Sequence, residues 1–116
     1  MLAANYNITL DRAADYSFVL VINDANGVAV DLDGDDFVSD IRLISSKKQA
    51  LEFTTAFVTD GSDGKVLLTL TPLQTKTLQA GTLYEYDVFV IRSVSGKTIR
   101  LIEGTVTVRA QRTNDV

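Results

Sequence analysis

Residues 71–91 read TPLQTKTLQAG and then TLYEYDVFVI, and this change of texture decides the fold. Thr71 is suited to cap a helical turn, Pro72 to occupy its first position, and Gln74 to complete a capping box with Thr71. Gly81 is expected to end that turn. Residues 83–91 (LYEYDVFVI) then return to β-branched and aromatic residues with period-2 alternation, the mark of a half-buried strand. One or two helical turns, within 72–79, are therefore expected to carry the chain from one sheet to another.

Working outward, the rest of the chain is short strands separated by turn signals. Residues 6–10 (YNITL), 16–22 (YSFVLVI), 37–44 (FVSDIRLI) and 98–109 (TIRLIEGTVTVR) read as strands, with a short extended piece at 28–32. Asn26-Gly27 suits a hairpin turn with positive φ at both residues. Residues 51–58 are expected to form one strand paired with 65–71 across a flexible loop, TDGSDG. In 98–109, Ile99 and Leu101 share one face whereas Val106 and Val108 share the other, which predicts a β-bulge around Glu103-Gly104.

Seven or eight strands at this spacing make an all-β, antiparallel sandwich in a single domain, residues 1–116. The alternation assigns Ile8, Phe18, Leu20, Ile22, Ile41, Leu43, Leu68, Leu70, Tyr86, Val88, Val90, Val106 and Val108 to the interior. Tyr84 and Tyr86 follow the crossover. A tyrosine there, in immunoglobulin-like domains, bonds its hydroxyl back to the preceding corner, and the same role is expected here. The expected architecture is an immunoglobulin-like sandwich.

Composition narrows function mostly by exclusion. The chain has no cysteine and no histidine, so thiolate catalysis, cysteine-based zinc sites and Ser-His-Asp arrangements cannot be built from it. A net charge of −4 argues against a nucleic-acid backbone as partner. Residues 1–10 show no signal-peptide pattern, and the longest apolar run, Phe18–Ile22, is far too short to span a bilayer. The expectation is a soluble protein made in the cytoplasm.

The densest chemistry is Val30-Asp31-Leu32-Asp33-Gly34-Asp35-Asp36-Phe37. Asp31, Asp33, Asp35 and Asp36 are weak candidates for a calcium site. The spacing is not that of an EF-hand, because Gly34 holds the fourth place rather than the sixth and no Glu occurs before Glu52. The plainer reading is a solvated turn, and the same holds for DGSDG at 60–64. Paired carboxylates can hydrolyse glycosides, but nothing in the sequence points a pair into a cleft. No catalytic residue, cofactor or resident metal is expected. With four tyrosines and no tryptophan, no sugar-stacking platform stands out.

Charge is divided unevenly. Residues 1–60 carry four basic and ten acidic side chains, whereas 61–116 carry seven basic and five acidic. This suggests head-to-tail contacts in which Asp33, Asp35 and Asp36 face Arg92, Lys97, Arg100, Arg109 or Arg112 of another copy or another protein. Both chain ends are expected to pack against neighbours.

Asp11, Ala14-Asp15-Tyr16-Ser17-Phe18, Val30-Asp31-Leu32-Asp33-Gly34 and Ile41-Arg42, together with LLTLTPLQTKTLQAGTLYEYDVFV and the closing RLIEGTVTVR, carry a family resemblance. The chain resembles small proteins of tailed phages and prophages, notably cyanophages with contractile tails. These are similar to the immunoglobulin-like N-terminal domain of upper baseplate proteins. The chain departs from that pattern in the extra acids of the 31–36 turn and in one apparent extra residue before Tyr86-Asp87. The resemblance implies a non-enzymatic virion structural protein of the tail, baseplate or fibre-attachment region, in contact with other virion proteins and copies of itself. It implies no nucleic acid, membrane or small-molecule substrate. Alternatives are a carbohydrate- or cell-surface-binding module, calcium-assisted or not, and a capsid decoration protein.

Overall fold

β-Branched and aromatic runs supply the strands. In the computed structural model, which describes residues 4–110, they form β1 (Ala4–Asn5), β2 (Ile8–Asp11), β3 (Tyr16–Val21), β4 (Asp36–Leu43), β5 (Gln49–Glu52), β6 (Thr54–Phe57), β7 (Lys65–Leu70), β8 (Leu83–Ile91) and β9 (Thr98–Arg109). Among the described residues a single helix, α1 (Pro72–Lys76), lies between β7 and β8. The larger sheet runs β1-β9-β8-β4-β5, with β2 also on β9, and the smaller runs β3-β7-β6. The fold is an immunoglobulin-like β-sandwich. Its pairings are antiparallel except that β1 and β2 run parallel to β9, a departure from the all-antiparallel expectation.

The core lies between the sheets and follows the alternation. Tyr84, Tyr86, Val88 and Val90 of β8 face Val66, Leu68 and Leu70 of β7, all buried. Every residue of the expected inward set is buried or packed against the core, with Phe18, Leu20, Ile22 and Leu43 at its margin. Leu10, Leu32, Phe53, Val66, Leu78, Tyr84 and Ile102 join it as well.

The crossover is built as its residues dictate. The Thr71 hydroxyl accepts from the Gln74 N–H at 3.2 Å, and the Gln74 side chain accepts from the Thr71 N–H at 2.9 Å. The helix ends at Lys76 with Thr77 as its cap, so Gly81, at φ +81°, serves the next turn instead. Thr75 is buried and exchanges hydrogen bonds with the Ala14 backbone. Arg12 donates to the carbonyls of Leu78 and Lys76, both at 2.8 Å, and thereby holds the helix end against the β2–β3 turn. The Tyr84 hydroxyl accepts from the Gln79 N–H at 3.0 Å, which is the expected tyrosine corner. Tyr86 instead sends its hydroxyl to the Tyr6 carbonyl.

Three local expectations are corrected. Residues 51–58 are not one strand: Phe53 turns inward between β5, paired with β4, and β6, paired with β7, so the chain changes sheets there. The bulge in β9 falls at Leu101, where Val88 pairs Ile102 and Phe89 pairs Arg100. Gly104 has a different task, since a Cβ there would sit 2.2 Å from the Tyr6 carbonyl oxygen. Of Asn26-Gly27 only Gly27 has positive φ, and the short extended piece at 28–32 makes one isolated bridge (Ala29 with Asn23). Asp24 does the remaining work of that turn by accepting from the Asn26 and Val28 N–H groups.

Candidate interaction surfaces

The acidic turn at 31–36 does not gather its carboxylates. Leu32 is buried and anchors the turn, which Gly34 closes at φ +82° with the Asp35 N–H bonded to the Leu32 carbonyl. Asp31 turns onto the Asp33 N–H at 3.0 Å, an Asx turn. Asp35 points the other way, into the protein, with its side chain only 2% exposed. One oxygen accepts from the Ser93 N–H at 2.8 Å, and the other lies 2.9 Å from Arg92 Nε. That second oxygen has no well-aligned hydrogen bond, so Arg92 holds it by charge. Asp36 opens β4 and is exposed, as is Asp33. Among the described residues no three acidic groups are placed to share a metal ion.

The loop at 60–64 is tied rather than loose. Asp60 accepts from the Ser62 hydroxyl at 2.6 Å and the Ser62 N–H at 2.9 Å, contacts that lower its pKa, the hydroxyl foremost. Asp63 accepts from Thr59 and from the Lys65 N–H. The Gly61 carbonyl accepts from the Leu32 N–H at 2.9 Å, which joins the two acidic loops.

Of the residues expected to face another copy, several already have partners in their own chain. Asp35 and Arg92 hold one another, and Arg109 pairs with Asp11 at 2.7 Å. Arg100 lies 3.6 Å from Glu103 and 4.0 Å from Asp87, and its guanidinium stacks 5.2 Å above the Phe89 ring. The exposed Asp33, Asp36 and Lys97 belong to turns or strand ends at one end of the sandwich. Arg112 and the chain ends, expected to pack against neighbours, lie outside the described residues.

A better-organised surface is one the sequence reading did not single out: the outer face of β4, β8 and β9. Pairing places Val38 opposite Phe89, Asp40 opposite Asp87 and Arg42 opposite Glu85. Two like charges opposite one another are unfavourable, and the neighbours relieve this. Arg42 donates to both Asp87 oxygens, at 2.8 and 3.3 Å, and lies 3.6 Å from Glu85. Gln49 donates to Asp40 at 3.2 Å, and Lys47 reaches Glu85 at 3.1 Å. The hydrogen bond to Asp87 raises the Arg42 pKa further. Beside this network Val38 and Ile91 are each 37% exposed, next to the stacked Phe89 and Arg100. A shallow groove of about 270 Å³ runs past Arg42, Asp87 and Arg100. Aromatic and arginine side chains with an apolar centre and fixed rim charges are the composition of a protein-binding patch. Alternation along β8 carries the signal for it, but which charges meet across strands is not a local property.

These features define an immunoglobulin-like domain whose distinctive chemistry lies on its surface. No family model matches the chain, and no curated protein matches it. Among solved structures it is similar to the N-terminal Ig1-2 module of the Drosophila receptor protein tyrosine phosphatase DLAR. Identity there is 13%, over 92% of this chain and 46% of that one, with a TM-score of 0.47, so the chain spans under half of that module. It is also similar to the extracellular domain of the voltage-gated sodium channel beta4 subunit, at 8% identity over 96% of both chains and a TM-score of 0.50. Likeness at such identity is a likeness of fold.

Proposed function

We propose that this chain is a non-enzymatic structural protein of a phage virion, in the tail, baseplate or fibre-attachment region, and that it works by binding other virion proteins. The observation that carries the binding role is the outer face of β4, β8 and β9. There the Phe89–Arg100 stack, Val38 and Ile91 sit beside charges already neutralised by Arg42 and Lys47. Because those charges have partners, docking a protein there leaves few groups newly unpaired. The virion assignment is supported by the resemblance of residues 5–110 to small tailed-phage proteins.

Electron microscopy of the source virion is the test, with this domain fitted and its copies counted. Density at the tail, baseplate or fibre base, with the β8 face against a neighbour, is the expected result. A virion lacking the protein refutes the proposal, and density on the capsid shell selects the decoration role.

A further inference from the structure

The smaller sheet ends in an unguarded edge. β3 is its terminal strand, paired on one side with β7 and, among the described residues, with no strand on the other. The Ile22 N–H donates to the Gly64 carbonyl at 2.8 Å, which extends the β3–β7 ladder by one pair. Antiparallel alternation then turns Tyr16, Phe18 and Leu20 toward β7, and the N–H and C=O groups of Ser17, Val19 and Val21 outward. Residues 16–22 contain no charge and no proline, the devices that normally protect an edge. The other terminal strands are less suited to pairing: β1 has two residues, β2 has four including Asp11, β6 has four, and β5 has four including Glu52.

Beside the β3 edge lies an open groove of about 380 Å³, walled by Ala4, Tyr6 and Ile102 on one side and Phe18 and Leu20 on the other. A fourth strand of the smaller sheet would lie along it. The opening strands of this chain do not fill that place, because both pair with β9 in the larger sheet.

We infer that the β3 edge is a self-association site, at which β3 of a second copy pairs antiparallel across a two-fold axis through Val19. That register sets Ser17 opposite Val21 of the second copy and Val19 opposite its own equivalent, for on the order of six backbone hydrogen bonds. It also continues the outer face. Leu67 pairs with Val19, so the axis lines up Leu67 and Val19 of one copy with Val19 and Leu67 of the other. Val19 and Val21, 47% and 51% exposed in the single chain, gain cross-strand neighbours there.

The segment that follows β9 fits the edge poorly. Residues 111–116, Gln-Arg-Thr-Asn-Asp-Val, bring Arg, Asn and Asp to an apolar groove. A second β3 brings the matching β-branched surface. Edge pairing buries less than the roughly 800 Å² per partner of a standard interface, so the dimer is weak. This contact is independent of the β8 face and of the virion reading.

The test combines sedimentation equilibrium with amide hydrogen exchange on the full chain. The average mass is expected to rise from 12.7 kDa toward twice that value with concentration, over a range of roughly 10 µM to 1 mM for an interface this small. The amides of Ser17, Val19 and Val21 should gain protection over the same range, while those of Phe18 and Leu20 are protected throughout. Val19→Pro removes an outward N–H, a change an edge strand tolerates, and should leave a folded monomer. If that variant does not fold, Val19→Lys supplies the same comparison, and Leu73→Lys on the exposed side of α1 should associate like the parent. A protein monomeric at 1 mM, or Val19 variants that associate as the parent does, overturns the inference. So does concentration-independent protection of residues 17, 19 and 21 that disappears on deleting 111–116, which would make the chain's own tail the occupant.

Discussion

Tyr84 and Tyr86 stand two residues apart on one face of β8 and do different things with the same hydroxyl. Tyr84 satisfies a backbone N–H at the corner, whereas Tyr86 reaches past Gly104 of the neighbouring β9 to the Tyr6 carbonyl and donates. Only Tyr86 therefore needs its proton for the bond it makes. Its ring is buried among Phe18 and Phe53, at 6.4 and 6.1 Å between centroids. Burial, then the nearby Tyr16 and Tyr6, raises its pKa above the ordinary 10.0. A group whose folded pKa is raised keeps its full contribution below the unfolded value and loses it as pH climbs toward the folded one. Stability is accordingly expected to fall as pH rises beyond about 10. Tyr86→Phe should flatten that fall while lowering stability near neutrality by about 1 kcal/mol, because the Tyr6 carbonyl loses its donor. Urea midpoints across the alkaline range measure both effects. An unchanged alkaline slope in the variant would assign the loss to other groups, Tyr16 among them, whose pKa burial also raises.

At the scale of elements, the opening strand and β9 are the least ordinary pair. β1 and β2 lie on the same partner strand but are separated by Tyr6-Asn7. There the Asn7 side chain, rather than a main-chain carbonyl, accepts from the Thr105 N–H at 3.0 Å. The kink brings the Tyr6 carbonyl over Gly104, and only a residue without Cβ leaves room for it. Gly104→Ala should therefore displace Tyr6, break the Tyr86 hydrogen bond and cost roughly 2–3 kcal/mol. Gly96→Ala changes a glycine with open space around its missing Cβ but with φ +71°. That variant should cost about 1 kcal/mol through strain alone. Chemical denaturation of the two variants side by side checks the ranking, and the reverse order would remove the close-approach argument.

For the whole molecule, part of the charge split is met within the chain. Asp35 with Arg92 and Asp11 with Arg109 join acids of the first half to bases of the second. Such long-range pairs brace the sandwich at its corners and leave less of the asymmetry for contact with other copies. The acidic turn gives a clear expectation too. Asp31 is turned onto backbone and Asp35 onto Arg92, so no calcium cage is preformed. A ligand that binds the folded state raises its melting temperature by mass action. Millimolar calcium, compared with magnesium in a thermal melt, should leave it unmoved. A calcium-specific rise of several degrees would return the binding-module reading to the front.

The local features were legible in the sequence because local chemistry makes them. The Thr71–Gln74 capping box needs residues three apart, and the inward set of β4, β7 and β8 follows from the two-residue period of a strand. The position of the corner tyrosine likewise follows from the strand that begins after the crossover. Other features needed the tertiary structure. Residues 51–58 show no break in their β-forming character, yet Phe53 has a place in the core between the sheets, and filling it sends the two halves to different partners. The phase change in β9 was visible, but its position at Leu101 depends on register with β8. Asp35 looked like its three acidic neighbours until the loop after β8 delivered Arg92 and the Ser93 N–H to it. A propensity or a period is carried by neighbours along the chain. The partner of a charge, or the reason for a missing Cβ, is supplied by residues that become neighbours only when the two sheets close on their common core.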